Sequence, residues 1–233
     1  MRPEDRVAVV TGASSGIGRA IALGLSRLGG TVGLVGRRPP PLEEIAGQVE
    51  RLGARAVQLQ ADLVATGGAE RLAERIAQEL GATDLLVHCA GVFPLVPAES
   101  EQAHQHVRAA EILTRRLLSL LRTGPGQIVF VNSSAGLPGA RATGAYAESK
   151  QALRTLADRL RNEVNPDGIR VLSVYPGRTA TPMQAAIHRQ EGRPYLPERL
   201  LQPEDVAAVV LHALAMPQGA EVTDISIRPT QKP

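Results

Sequence analysis

Tyr146 and Lys150 stand four residues apart in the stretch Asn132–Lys150. On a helix that spacing sets the two side chains one above the other on a single face. An ammonium beside a phenol favours the phenolate, which makes the pair a proton donor and acceptor. Composition adds a second argument: of the 26 basic residues only Lys150 and Lys232 are lysines. A chain that otherwise writes arginine keeps at 150 a compact cation on a flexible stem instead of a planar fork. An ordinary helix with a packed tyrosine and an exposed lysine has the same spacing, so the pair alone does not decide the matter.

The elements that must position this pair follow from the hydrophobic pattern. The β-rich run Gln127–Val131 leads into the stretch, and a long amphipathic helix, 144–163, carries the pair. Near the start, a buried-strand pattern over Arg6–Thr11 is followed by Gly12, Ala13, Ser14, Ser15, Gly16, Ile17 and Gly18. Helically spaced Ile17, Ala20, Ile21, Leu25 and Leu28 come next. A strand, a glycine-rich turn and a helix in that order form an anion site. Backbone N–H groups and the helix dipole face a phosphate, and the glycines let the backbone approach it.

The second strand, Thr31–Gly36, ends in Arg37 and Arg38 where an NAD site usually places a carboxylate; Glu43 and Glu44 belong to the next helix. Two guanidinium forks suit a 2′-phosphate, so NADP(H) is expected over NAD. The alternation then repeats: helix 42–52, strand 55–60, helix 67–80, strand 84–88, helix 98–123, strand 127–132, helix 144–163 and strand 169–174. A last helix runs from Gln202 to about Met216, and a strand over 222–228 closes the series. This predicts a doubly wound parallel α/β sheet with ligand at the strands' carboxyl ends, where every motif falls. Asp62, at such an end, either accepts from an adenine amine or caps the next helix.

Length and composition bound the classes. A chain of 233 residues, 43% hydrophobic and 21% charged, suits one domain with a sizeable core. A charge of +3 and 2% aromatic content argue against a nucleic-acid partner. No apolar run is long enough to span a membrane, and the N-terminus leaves no room for a signal peptide. Cys89, the only cysteine, forms no intramolecular disulfide, so a cytoplasmic location is expected. His104 and His106, two apart on a helix, do not face the same way, so no metal is expected.

Taken together, these residues resemble the short-chain dehydrogenase/reductase family in its short single-domain form, from about residue 5 to 230. The resemblance implies a Rossmann-type fold, with a cofactor half over about 5–130 and a catalytic half over 131–230. Thr11–Gly18 matches the family's cofactor glycine motif, Arg37 the position of arginine in NADP-preferring members, and Asp62 the adenine contact. Ala90 and Gly91 lie beside the cofactor, and the segment Pro176, Gly177, Thr179 and Thr181 meets the nicotinamide amide. Ser133, thirteen residues before Tyr146, matches the catalytic serine, with Ser134 its neighbour and alternative. Lys150 then assists Tyr146 and binds the nicotinamide ribose.

Two departures stand out. His88 and Cys89 replace an asparagine pair, and His106 stands where the family's fourth catalytic residue, asparagine, would be. The stretch between Gly91 and His106 also runs short. An imidazole at 106 offers a donor or acceptor and ordinarily titrates near neutrality, or it breaks the relay. The expected activity is NADP(H)-dependent interconversion of hydroxyl and carbonyl groups; a cofactor-binding sensor or scaffold without turnover is the alternative. A homodimer or homotetramer, packed through the helices after the fourth and fifth strands, is usual for the family. A compact lid is expected between Pro182 and Gln202, carrying Met183, Ile187, Tyr195 and Leu196. The ending Val222–Thr230 resembles members that oxidise small 3-hydroxy acids.

Overall fold

The apolar runs become seven strands of one parallel sheet, in the order β3-β2-β1-β4-β5-β6-β7. The computed structural model describes residues 6–94, 100–121, 125–140 and 142–231. Along the chain run β1 (Val7–Thr11), α1 (Gly16–Ser26), β2 (Thr31–Gly36), α2 (Pro39–Arg51), β3 (Arg55–Gln60), α3 (Gly68–Leu80) and β4 (Leu85–His88). Next come α4 (Ser100–Leu121), β5 (Gln127–Val131), α5 (Ala145–Val164) and β6 (Arg170–Pro176). The chain ends through α6 (Pro182–Gln190), α7 (Pro203–Leu214) and β7 (Asp224–Ile227).

Both faces of the central strands are covered, which is why they read as unbroken apolar runs. On β1, Ala8 and Val10 join α1, α2 and α7, whereas Val9 points to the opposite layer of α3, α4 and α5. The same alternation on β5 sends Val129 and Val131 one way and Ile128 and Phe130 the other. The strand order reverses between β1 and β4, so the loops after these two diverge and leave a crevice at their carboxyl ends.

Element ends differ from the sequence expectation where local chemistry is decisive. α2 starts at Pro39, not Leu42, because first-turn N–H groups have no intrahelical acceptor and proline loses nothing there. α7 stops at Leu214, two residues before the expected end. In the predicted helix 98–123, Ala98, Glu99, Arg122 and Thr123 lie outside the described residues, as do Met1–Asp5, Arg141 and Lys232. α4 itself spans 22 residues, Ser100–Leu121.

His88 ends β4 inside the core. Its ring stacks on Phe130 at 4.9 Å, and Nε2 lies 2.7 Å from the Thr114 hydroxyl. Burial pushes this imidazole from 6.5 down to about 3. The unfolded chain therefore binds the extra proton between those values, and this group's contribution to stability, present above pH 6.5, is lost as pH falls toward 3. One such proton is worth roughly 2 kcal/mol between pH 7 and pH 5. Urea unfolding at both pH values should show His88→Asn losing less stability on acidification than the wild type, by about that amount. Equal losses in the two proteins would rule this out.

Candidate active site

A cleft of about 580 Å³ opens along the carboxyl edge of the sheet. At its centre the turn after β1 meets the loop after β4. The Thr11 hydroxyl accepts from the N–H groups of Cys89 (3.0 Å) and Ala90 (3.1 Å) and donates to the Val87 carbonyl (3.2 Å). Gly12, at φ +68°, has no room for a side chain, since a Cβ would stand 2.9 Å from the Ala90 nitrogen. At Gly18 a Cβ would run into the Gly12 carbonyl oxygen, so this glycine lets α1 pack on its own turn and does not itself line the cleft. Gly12, Ser14, Ser15, Gly16 and Ile17 do line it. No acidic residue stands in the first turn of α1, and the Ser15 side chain makes no capping bond. The start of α1 therefore keeps its dipole and N–H groups for an anion.

Arg37 and Arg38, both exposed, edge the cleft where β2 ends, and Gln60 holds the Arg37 carbonyl at 3.2 Å. The Asp62 carboxylate accepts from the Val64 N–H at 3.2 Å, a local turn bond, and its neighbours Ala61 and Leu63 line the cleft. Ala90, Gly91, Pro176, Gly177, Thr179 and Thr181 all line the cleft. Thr181 also caps α6, accepting from the Gln184 N–H at 3.2 Å, and presses its methyl toward Gly16.

The other end of the cleft holds Ser133, Ser134, Tyr146 and Lys150. α5 begins at Ala145, so Tyr146 and Lys150 share its first turns as their spacing predicts. The ammonium stands 5.6 Å from the centre of the Tyr146 ring. Asn132, buried at the end of β5, supplies a link that sequence reasoning missed. Its amide donates to the Lys150 carbonyl at 3.1 Å, and its oxygen accepts from the Ser133 N–H at 2.9 Å. One side chain thus sets the serine against the turn of α5 that carries the lysine. Asn132 opens the motif stretch, but a bond to a carbonyl eighteen residues on leaves no local trace. The Ser133 hydroxyl accepts from the Ala135 N–H at 3.2 Å, which leaves its own proton to donate. Ser134, by contrast, is exposed.

His106 faces the cleft beside Lys150, and both of its ring nitrogens are buried without a protein partner. Burial, together with the charge of Lys150, moves it from 6.5 down to about 4. It is a neutral imidazole at pH 7, unlike the near-neutral titration expected from sequence. His104 lies two residues back, half-buried, with Nδ1 3.5 Å from the Ser100 carbonyl. Burial raises the Cys89 thiol to about 12, which makes it a poor nucleophile at neutral pH. Among the described residues, no group of three or more His, Cys, Asp or Glu side chains is placed to hold a metal ion.

The lid expected after Pro182 is helical. Met183, Gln184 and Ile187 of α6 line the cleft, whereas Tyr195 packs edge-on against His188 at 5.6 Å and Leu196 is exposed. On the facing wall the Phe93 ring lies 4.8 Å from that of Tyr146.

Comparison with known proteins agrees with this architecture. The sequence profile described as short chain dehydrogenase matches residues 6–192. Glycine betaine reductase ATRR of Emericella nidulans is 33% identical over 98% of this chain, which spans 19% of that protein's length. L-sorbose reductase from Gluconobacter frateurii, complexed with NADPH and L-sorbose, aligns over 97% of both chains with a TM-score of 0.83 and 26% identity. A short chain dehydrogenase from Mycobacterium paratuberculosis bound to NAD also aligns over 97% of both, with a TM-score of 0.80 and 25% identity. With the seven-stranded parallel sheet and a profile match that covers most of the chain, this protein belongs to the short chain dehydrogenase family of oxidoreductases.

Proposed function

We propose that this chain is an NADP(H)-dependent oxidoreductase that interconverts a hydroxyl and a carbonyl group on a small or medium organic molecule, with Tyr146 as proton donor and acceptor. The observation that carries the reading is the convergence of the glycine turn after β1 with Ser133, Tyr146 and Lys150 in one cleft. The cradle fits a dinucleotide: Gly12, Ser14, Ser15, Gly16 and Ile17 line the cleft, and the start of α1 carries no acidic residue and no side-chain cap. When bound, a nicotinamide dinucleotide supplies or accepts the hydride.

The chain's own residues do the rest. In the reducing direction Tyr146 gives its phenolic proton to the carbonyl oxygen, and in the oxidising direction it takes that proton back. Ser133 donates to the same oxygen and fixes its place. Lys150 sets positive charge beside the phenol as its proton leaves, and its ammonium is the donor for ribose hydroxyls. Asn132 holds the backbone of Lys150, so the distance between the catalytic groups does not depend on the substrate.

Arg37 and Arg38 support NADP(H) over NAD(H), since each guanidinium matches a phosphate fork and both are exposed at the cleft's edge. The cofactor half, about 5–130, and the catalytic half, 131–230, meet across this cleft, and the Asp62 carboxylate, which accepts one bond from Val64, keeps acceptor sites for an adenine amine. A cytoplasmic homodimer or homotetramer with no nucleic-acid or membrane partner completes the proposal; no described helix is long and apolar enough to cross a membrane. The alternative, an NADP(H)-binding sensor or scaffold without turnover, draws on His106, whose unpartnered nitrogens replace an asparagine amide.

Oxidation of NADPH and NADH over a panel of aldehydes and ketones separates the two. NADPH-dependent turnover that falls about 10²- to 10⁴-fold in Tyr146→Phe, with NADPH binding retained, is expected for the enzyme. Tight NADPH binding with no turnover across the panel would favour the sensor. The arginines have their own test. Arg37→Ala should reduce the preference for NADPH over NADH by roughly tenfold or more, the worth of a lost charge-assisted bond. An unchanged ratio would remove Arg37 from cofactor selection.

A further inference from the structure

The walls around Tyr146 carry a chemical preference of their own. Val92, Phe93, Ala142, Met183 and Ile187 line this end of the cleft, and the Phe93 ring leans on Tyr146 at a 52° tilt. Two polar side chains near them, Gln184 and Arg178, are engaged within the protein. Gln184 is buried, and the His188 Nδ1 lies 3.1 Å from its side-chain amide nitrogen and 2.9 Å from its backbone carbonyl, one of which it serves according to its tautomer. Arg178, on the loop after β6, lines the cleft and points a cation into this region. Its two terminal nitrogens both bond to Glu191 just past the end of α6, at 3.1 Å each. That fork holds the Glu191 carboxyl below its ordinary range, so it stays ionised.

A substrate carboxylate entering here meets a guanidinium whose two terminal nitrogens already hold an anion, Glu191, that lines the same cleft. It also meets like charge from Glu191, and where it lies against the apolar side chains its hydration is lost, both of which are unfavourable. An uncharged carbonyl compound loses little and gains apolar and aromatic contact. We infer that the substrate of this site is an uncharged ketone or aldehyde bearing an aryl or branched apolar group, and that Glu191 excludes carboxylates by occupying Arg178. This runs against the small 3-hydroxy acids that the C-terminal segment brings to mind. It rests on the reductase reading for the carbonyl, but the preference for a neutral ligand is a property of the walls and is measurable without turnover.

The test uses methyl benzoylformate and benzoylformate, which differ by the carboxylate charge and one methyl group. Each is titrated into the NADPH-loaded Tyr146→Phe protein, with NADPH fluorescence reporting binding, and each is offered to the wild type as substrate. The ester should bind about tenfold or more tightly than the acid, a difference of ~1.4 kcal/mol. In Glu191→Gln, which weakens the hold on Arg178, that ratio should shrink toward unity through a gain in acid binding. Equal or tighter binding of the acid by the parent protein would overturn the inference, as would failure of the ester to bind, or a ratio that Glu191→Gln leaves unmoved. Selective ester binding without reduction by the wild type would leave the inference standing and sink the reductase reading instead.

Discussion

The site depends on one constraint: the parallel sheet reverses its strand order between β1 and β4, and the backbones must touch there and then part. Thr11 makes the contact, bonding two N–H groups of the loop after β4, and Gly12 makes it close enough. A larger residue at 12 would push Ala90 outward and shift the cleft floor on which both cofactor and substrate residues stand. The parallel register brings the ends of all seven strands to one edge, so that this single junction serves a site drawn from β1, β2, β4, β5 and β6.

Charge is handled with similar economy. Two guanidinium groups stand exposed at one end of the cleft, one ammonium stands beside the tyrosine, and the third guanidinium is tied to a carboxylate on the lid. His106 and Cys89 add no charge at neutral pH, because burial holds the imidazole unprotonated and the thiol intact. The field around the tyrosine is then set by Lys150 with little competition. The position of Lys150 is in turn set by Asn132, through the backbone and not the side chain.

The fold was legible because buried parallel strands are continuous apolar runs and their helices keep a 3.6-residue period. The glycine turn and the Tyr-Lys pair were legible because each is a local pattern. What escaped is what tertiary structure decides. α2 begins inside a run of prolines, since only a helix interior penalises them. His106 loses its near-neutral titration to burial, and Arg178 is paired across thirteen residues by a helix that the sequence marks only as a lid. The Asn132 bond to Lys150 belongs with these, as a contact between the end of a strand and a helix turn.

The central claim is that hydride and proton reach the substrate separately, the proton from Tyr146. The direct measurement is isotope transfer from NADPH carrying deuterium at the transferring C4 position, with the reduced product examined by NMR and mass spectrometry. The account predicts one deuterium on the carbinol carbon, none lost to water, and a hydroxyl hydrogen drawn from solvent. A carbinol carbon that carries solvent hydrogen would contradict it.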